Sequence, residues 1–324
     1  MKAVICSRVG EAAEIALRQV APPRAGPGQV RLGVRAIGVN LPDILMTQGR
    51  YQFKPAPPFS PGFEAAGEIV EVGAGVTGWR PGDRAIGHVR FGAYAEQLVV
   101  PESALLALPP GFDFAAGAAF IVAYATAYVA LVRRGRVRPG ETLVVLGAGG
   151  GVGLAAVELG AHLGGRVIAV VGGPRKAAAA LAKGAARAID HHRVDPVGQI
   201  RDLTRGRGAE AVFDPVGGGA FHQAMAMLAP AGRLLVVGFA GGRIATVAAD
   251  RLRAGEIELI GVRAGEYARR DPARGRENGR RLLELAESGA LRPAIHAVLP
   301  LDQWRRAWRL LRSRDIVGKV VLEP

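Results

Sequence analysis

The chain has 324 residues, 49% of them hydrophobic and 22% charged, with a formal net charge of +14. That size predicts two domains, each able to bury a core, and the lone cysteine, Cys6, excludes an internal disulfide and every multi-cysteine metal motif. No apolar stretch reaches the length of a membrane span and residues 1–10 lack a signal-like core, so a cytoplasmic protein without a membrane partner is expected.

Residues 1–100 alternate short β-rich runs with turn signals. The runs fall at 2–5, 29–34, 67–72 and 94–100, and Ala21-Pro22-Pro23, Gly26-Pro27-Gly28 and Arg80-Pro81-Gly82-Asp83-Arg84 punctuate them. They predict a mostly antiparallel β domain. Helical patterning takes over at 114–132 and carries Tyr124, Thr126 and Tyr128.

The next stretch organises the rest of the chain. Leu143-Val144-Val145-Leu146 fits a buried strand, and five glycines among the following seven residues, Gly147 to Gly153, allow a tight turn and close approach of a ligand. An apolar helical pattern then resumes. The first N–H groups of that helix lack internal partners and carry the positive end of its dipole, so a pyrophosphate fits there. Read back from Gly153 and Gly150, the fingerprint G-x-G-x-x-G has Ala148 where its first glycine should stand. Arg166-Val167-Ile168-Ala169-Val170-Val171 supplies a second buried strand, and this βαβ context points to a Rossmann domain.

From Glu141 onward the pattern alternates strands (143–146, 166–171, 211–214, 233–238) with helices (152–164, 175–183, 196–205, 219–229). A strand at 257–262, a polar loop at 264–276, helices at 277–288 and 302–313 and a closing strand at 319–322 follow. This tail breaks the alternation and is expected to rejoin the first domain. Zincin, serine-hydrolase elbow and P-loop motifs are absent. The basic residues are scattered and only 6% of the chain is aromatic, which argues for a solvated basic surface rather than a nucleic-acid face. A weakly catalytic dinucleotide-binding protein that engages nucleic acid through that surface is the alternative from another class.

Together, Gly38-Val39-Asn40-Leu41-Pro42-Asp43, Gln48-Gly49-Arg50-Tyr51, Pro61-Gly62-Phe63-Glu64-Ala65-Ala66-Gly67, Gly82-Asp83-Arg84, the glycine loop and Gly318-Lys319-Val320-Val321-Leu322 give the chain its likeness. It resembles the medium-chain dehydrogenase/reductase superfamily, in its zinc-free quinone oxidoreductase (zeta-crystallin-like) branch. The resemblance implies an α/β fold in which a doubly wound Rossmann sheet interrupts a β-rich GroES-like catalytic domain. Domains are accordingly expected at 1–120, 121–257 and, returning to the catalytic domain, 258–324. Zinc alcohol dehydrogenases have a cysteine where this chain has Asn40 and a histidine where it has Phe63. An amide and a phenyl ring cannot hold Zn²⁺, so no metal is expected and substrate activation falls to hydrogen bonding and positioning.

NAD-binding Rossmann folds place an acidic residue at the end of the second strand, where this chain reads Val171-Gly172-Gly173-Pro174-Arg175-Lys176. The missing acid and the two cations point to the 2′-phosphate of NADPH. His191, beside His192, is either a phosphate contact or a loop histidine. The resemblance further puts Thr126 by the nicotinamide carboxamide and Gly238 and Phe239 at the far end of the cofactor. Gly149, Gly150, Gly151, Val152, Gly153, Gly172, Arg175, Lys176 and Lys319 complete the expected cofactor set. Asn40 and Tyr51 are the expected catalytic pair. Tyr51 stands at the position of a proton-donating tyrosine in enoyl-thioester reductases, or else packs as a pocket wall. The expected reaction is hydride transfer from NADPH to a quinone or related α,β-unsaturated carbonyl, with an enoyl-thioester or enone reductase as the alternative. A homodimer paired through the apolar run 257–262 is expected.

Overall fold

A computed structural model describes residues 1–324. The chain forms two compact units, Met1–Val122 with Leu283–Pro324, and Ala123–Leu282. In the first, β1 (Lys2–Arg8) and β2 (Glu14–Gln19) make a hairpin sheet, and β3 (Gln29–Val39), β4 (Glu64–Val72), β5 (Arg84–His88), β6 (Gln97–Pro101) and β7 (Leu105–Ala107) follow. β3 shows why these segments are strands: Val30, Leu32 and Val34 are buried while Arg31 and Arg35 face outward, the period-two alternation of a half-covered sheet. Arg31 reaches its cross-strand neighbour Glu71 at 2.6 Å. The run at 94–100 is strand only from Gln97, because Tyr94 and Ala95 turn in to meet β1.

The second unit is a six-stranded parallel sheet. Its strands are β8 (Thr142–Val145), β9 (Arg166–Val171), β10 (Arg187–Asp190), β11 (Ala209–Asp214), β12 (Leu228–Val236) and β13 (Glu258–Gly261), in the order β10-β9-β8-β11-β12-β13. That order reverses between β8 and β11, the switch point where doubly wound sheets place their ligands. Leu143–Leu146 and Val167–Val171 are buried throughout because helices cover both faces. β10 is too short and too polar at its ends to announce itself by pattern. The expected helix at 114–132 is divided into Phe114–Ala118 and Ile121–Tyr128, with a wider π-turn over Val129–Arg134.

The expected boundary at 257 moves. β13 pairs with β12 inside the parallel sheet, and the second unit continues to Leu282. The expected polar loop at 264–276 is helical, as Ala264–Arg270 and the start of Pro272–Glu287. Ion pairs at i,i+3 spacing, Arg269 with Glu266 and Arg274 with Asp271, support turns that hydrophobic periodicity does not reveal. After Leu282 the chain returns to the first unit, where β14 (Ile295–Pro300) and β15 (Lys319–Glu323) complete a sheet ordered β14-β15-β3-β4-β5-β7, with β6 also on β3. Trp304–Ser313 packs Trp304, Ala307 and Trp308 into its core.

Candidate active site

In the second unit, the turn after β8 is made by Gly147 at φ 57°, one residue before Ala148. The tight-turn role of the first fingerprint glycine therefore falls on Gly147, and Ala148 is free to be buried, its N–H donating to Val170 O at 3.1 Å. The helix Gly151–His162 begins at Gly150. A Cβ on Gly153 would lie 2.2 Å from Gly147 O, so loop and helix meet at a separation that only glycine permits. The first-turn N–H groups of Gly151, Val152 and Gly153 have no carbonyl within the helix to accept them, which is the donor set a pyrophosphate needs. These residues fit the phosphates of a dinucleotide.

The ends of β9 and β10 gather the basic groups. A Cβ on Gly149 would meet Lys176 Cγ at 2.6 Å, and one on Gly172 would meet His192 Nε2 at 2.6 Å and His191 Nε2 at 3.2 Å. The two imidazoles lie 4.3 Å apart, and loss of solvent, then the neighbouring His192, pulls the His191 pKa below its usual value. Lys176, His191 and His192 thus converge where Gly149 and Gly172 leave room, with exposed Arg175 one residue before Lys176. Asp190, which no sequence motif marks, is the organiser. Its Oδ1 accepts from His192 N at 3.1 Å and Gly173 N at 3.0 Å, and these bonds hold its pKa low.

Beyond β11, Asp214 Oδ1 accepts from Val216 N at 2.8 Å and Gly217 N at 2.9 Å, shaping the loop on which Gly238 and Phe239 rest. Burial pushes the Asp214 pKa up. A Cβ on Gly238 would come 3.1 Å from Pro215 O, and one on Gly217 2.9 Å from Phe239 Cδ1, so the loops after β11 and β12 form one layer. Thr126 is half-buried in Ile121–Tyr128. Two residues earlier Tyr124 donates to Glu158, which also pairs with Lys183 at 2.6 Å.

In the first unit a polar network occupies the core and takes in two of the expected site residues, Asn40 and Lys319. Both Asn40 amide hydrogens are used, Nδ2 donating to Gly38 O at 3.1 Å and Glu64 Oε1 at 3.0 Å, while Oδ1 accepts from Lys319 Nζ at 2.5 Å. Both amide hydrogens of Asn40 and its oxygen thus have partners within the protein. Lys319 Nζ spends its other two donors on Glu64 Oε1 at 2.7 Å and Val39 O at 3.1 Å. Lys319 is 5% exposed, and all three of its donors are used within the protein. The pair it forms with fully buried Glu64 is of the kind whose disruption costs about 3–5 kcal/mol.

Beside it runs a second chain of bonds: Trp308 Nε1 donates to Tyr94 Oη at 3.2 Å, Tyr94 Oη to Asp43 Oδ2 at 2.9 Å, and Asn40 N to the same oxygen at 2.7 Å. Asp43 Oδ1 has no partner, and burial pushes this carboxyl up to about 7. Asp43 and Tyr94 stand in separate stretches of sequence, so no spacing signals their union. Tyr51 is half-buried, its ring edge-on to Phe63 at 5.6 Å in a cluster with Cys6, Met46 and Phe59. Phe63 and the spent amide of Asn40 do not fit a zinc ion, and no three His, Cys, Asp or Glu side chains gather as a metal-binding group. No helix is long and apolar enough to cross a membrane.

Comparison with known proteins agrees with this architecture. Residues 26–110 match the alcohol dehydrogenase GroES-like domain family and residues 151–282 the family described as zinc-binding dehydrogenase. The chain is 35% identical over 325 residues to a quinone oxidoreductase-like protein 2 homolog of Nematostella vectensis, covering 99% of this chain and 88% of that protein. A mycobacterial protein solved with NADPH superposes with a TM-score of 0.93 at 31% identity, covering 100% of both chains. Escherichia coli quinone oxidoreductase, also solved with NADPH, superposes at 0.90 with 26% identity over 100% of both chains. Two matched domain families, a Rossmann sheet interrupting a GroES-like unit and a 35% identical relative aligned over 99% of this chain make it a member of the medium-chain dehydrogenase/reductase superfamily, among its quinone oxidoreductase-like proteins.

Proposed function

We propose that this chain is an NADPH-dependent, zinc-independent oxidoreductase that reduces a quinone or a related α,β-unsaturated carbonyl. The observation that carries the cofactor assignment is the convergence of Lys176, His191 and His192 at Gly149 and Gly172, where the end of β9 itself, Val171-Gly172-Gly173, has no acidic side chain and the neighbouring Asp190 is spent on Gly173 N and His192 N. The NADPH-bound mycobacterial and Escherichia coli relatives support the same reading. In it, Gly149 to Gly153 hold the pyrophosphate, and Gly172, Arg175, Lys176 and His191 hold the adenosine end with its 2′-phosphate. Thr126, Gly238 and Phe239 serve the nicotinamide end.

Bound NADPH supplies a hydride. The protein supplies position, and the buried Glu64–Lys319–Asn40 cluster keeps the segment before Tyr51 rigid so that the acceptor meets a fixed wall. Tyr51 is the side chain of that segment with a proton to give. For a quinone the hydroquinone anion formed is stabilised by aromaticity and takes its proton from water. The enoyl-thioester alternative needs a positioned acid, and Tyr51 is the group it would use. NADPH oxidation screened against quinones, enones and enoyl-CoA thioesters tests the assignment. Quinones are expected to turn over fastest; activity confined to thioesters would replace this reading with enoyl reduction, and no turnover with any acceptor would remove it.

A further inference from the structure

A cleft of about 490 Å³ in the first unit lies between the β1–β2 turn, the end of the helix Leu41–Thr47 and the helix Trp304–Ser313. Its walls are unusually basic. Arg305, Arg309 and Arg312 succeed one another at four- and three-residue spacing, which puts them on one helix face, and Arg50 enters from a different element. Like charges at these spacings repel along a helix, so the face gains when an anion sits across it. Arg305 is anchored, its Nη2 donating to Ile15 O at 2.8 Å and its guanidinium stacked 4.2 Å from the centre of the Trp304 ring. The side chains of Arg50, Arg309 and Arg312 form no ion pair, and the one acidic residue of the lining is Glu11.

The floor is aromatic. Trp304 lines the cleft, is 4% exposed, and its indole Nε1 has no hydrogen-bond partner in the protein. Its neighbour Trp308, 4.8 Å away, instead spends its indole N–H on Tyr94.

We infer that this cleft is a second anion site, built for a small molecule carrying at least two phosphate charges, such as a nucleoside diphosphate or the pyrophosphate handle of coenzyme A. Guanidinium forks match phosphate oxygens two at a time, and the volume of the open cleft suits a ligand of nucleotide size. The site goes beyond the reduction proposed above and stands or falls without it. A chain of hydrogen bonds runs from Trp308 in its wall through Tyr94 and Asp43 to Asn40 N.

The test is calorimetric titration of the protein saturated with NADP⁺, so that the dinucleotide loop is filled, using inorganic pyrophosphate, ADP and coenzyme A as probes at physiological ionic strength. One saturable site per chain is expected. Removing one charge-assisted hydrogen bond to phosphate should weaken binding about tenfold to a hundredfold, so R309E/R312E should bind at least about a hundredfold more weakly and R50Q about tenfold, with NADP⁺ affinity unchanged in both. Equal affinity for ADP and coenzyme A identifies a free nucleotide as the source, and a clear preference for coenzyme A identifies a thioester handle. Absence of saturable binding of pyrophosphate, ADP and coenzyme A overturns the inference. If R309E/R312E fails to fold, unchanged affinity in R50Q alone overturns it. Loss of NADP⁺ binding in the unmodified protein would instead count against the proposed function.

Discussion

Replacing Asp43 by Asn tests the buried polar core of the catalytic unit. Asp43 is fully buried, one of its oxygens is unpartnered, and burial raises its carboxyl from 3.8 to about 7. Its folded-state midpoint lies above the unfolded one, so from about pH 4 to pH 7 the native chain keeps a proton that the unfolded chain has released. Stability therefore falls as pH rises through that window and stays reduced above it. The full effect is roughly 4 kcal/mol, of which about 2–3 kcal/mol falls between pH 5 and pH 8. Asn keeps an oxygen for Tyr94 Oη and Asn40 N and removes the charge, while its NH₂ placed at the unpartnered position gives back about 1–3 kcal/mol. The variant should thus be no more stable than the wild type at pH 5 and gain relative to it at pH 8. Urea unfolding read by tryptophan fluorescence measures this directly, because Trp79, Trp304 and Trp308 all belong to the same unit as Asp43. A stability difference between variant and wild type that does not change from pH 5 to pH 8 would refute the reasoning.

Gly153→Ala places a methyl 2.2 Å from Gly147 O and should cost about 1–3 kcal/mol of stability and abolish NADPH binding, whereas Gly150→Ala, whose nearest atom is 3.6 Å away, should fold normally. Thermal melts with and without NADPH compare the two, and wild-type cofactor binding by Gly153→Ala would sink the loop assignment. Tyr51→Phe should retain most quinone turnover with cofactor affinity unchanged; a loss of about 10²–10⁴-fold would mark Tyr51 as the essential acid and favour enoyl reduction. β13 is an outer strand of the parallel sheet, with Glu258 and Gly261 exposed and one edge unpaired, and we expect a homodimer formed by pairing two such edges. Light scattering at micromolar concentration checks it, and a monomer would contradict it.

What the sequence made legible follows from how local each signal is. The buried runs 143–146 and 166–171 and the glycines between them lie within thirty residues of one another, so strand, loop and helix could be read together. The role of Gly147 could not, because φ and the reach of Gly153 toward its carbonyl belong to the folded turn. Asn40 and Lys319 stand out in the sequence, but nothing in it shows that they meet. They are 279 residues apart in sequence and meet Glu64 in the core, where every donor is used before a ligand arrives. Asp43 and Tyr94 meet across 51 residues with no periodicity to connect them. The helices at 264–287 are hidden because their support comes from charge pairs rather than an apolar stripe.

The central claim is that basic groups at the ends of β9 and β10 select NADPH. Titration of the purified protein with NADPH and NADH side by side, followed by nicotinamide fluorescence, tests it most directly. One charge-assisted phosphate contact is worth about 1.5–3 kcal/mol, so NADPH should bind at least about tenfold more tightly, and Lys176→Glu should remove most of that preference while leaving NADH affinity nearly unchanged. Superimposable curves for the two cofactors in the unmodified protein, or an undiminished preference in Lys176→Glu, would contradict it.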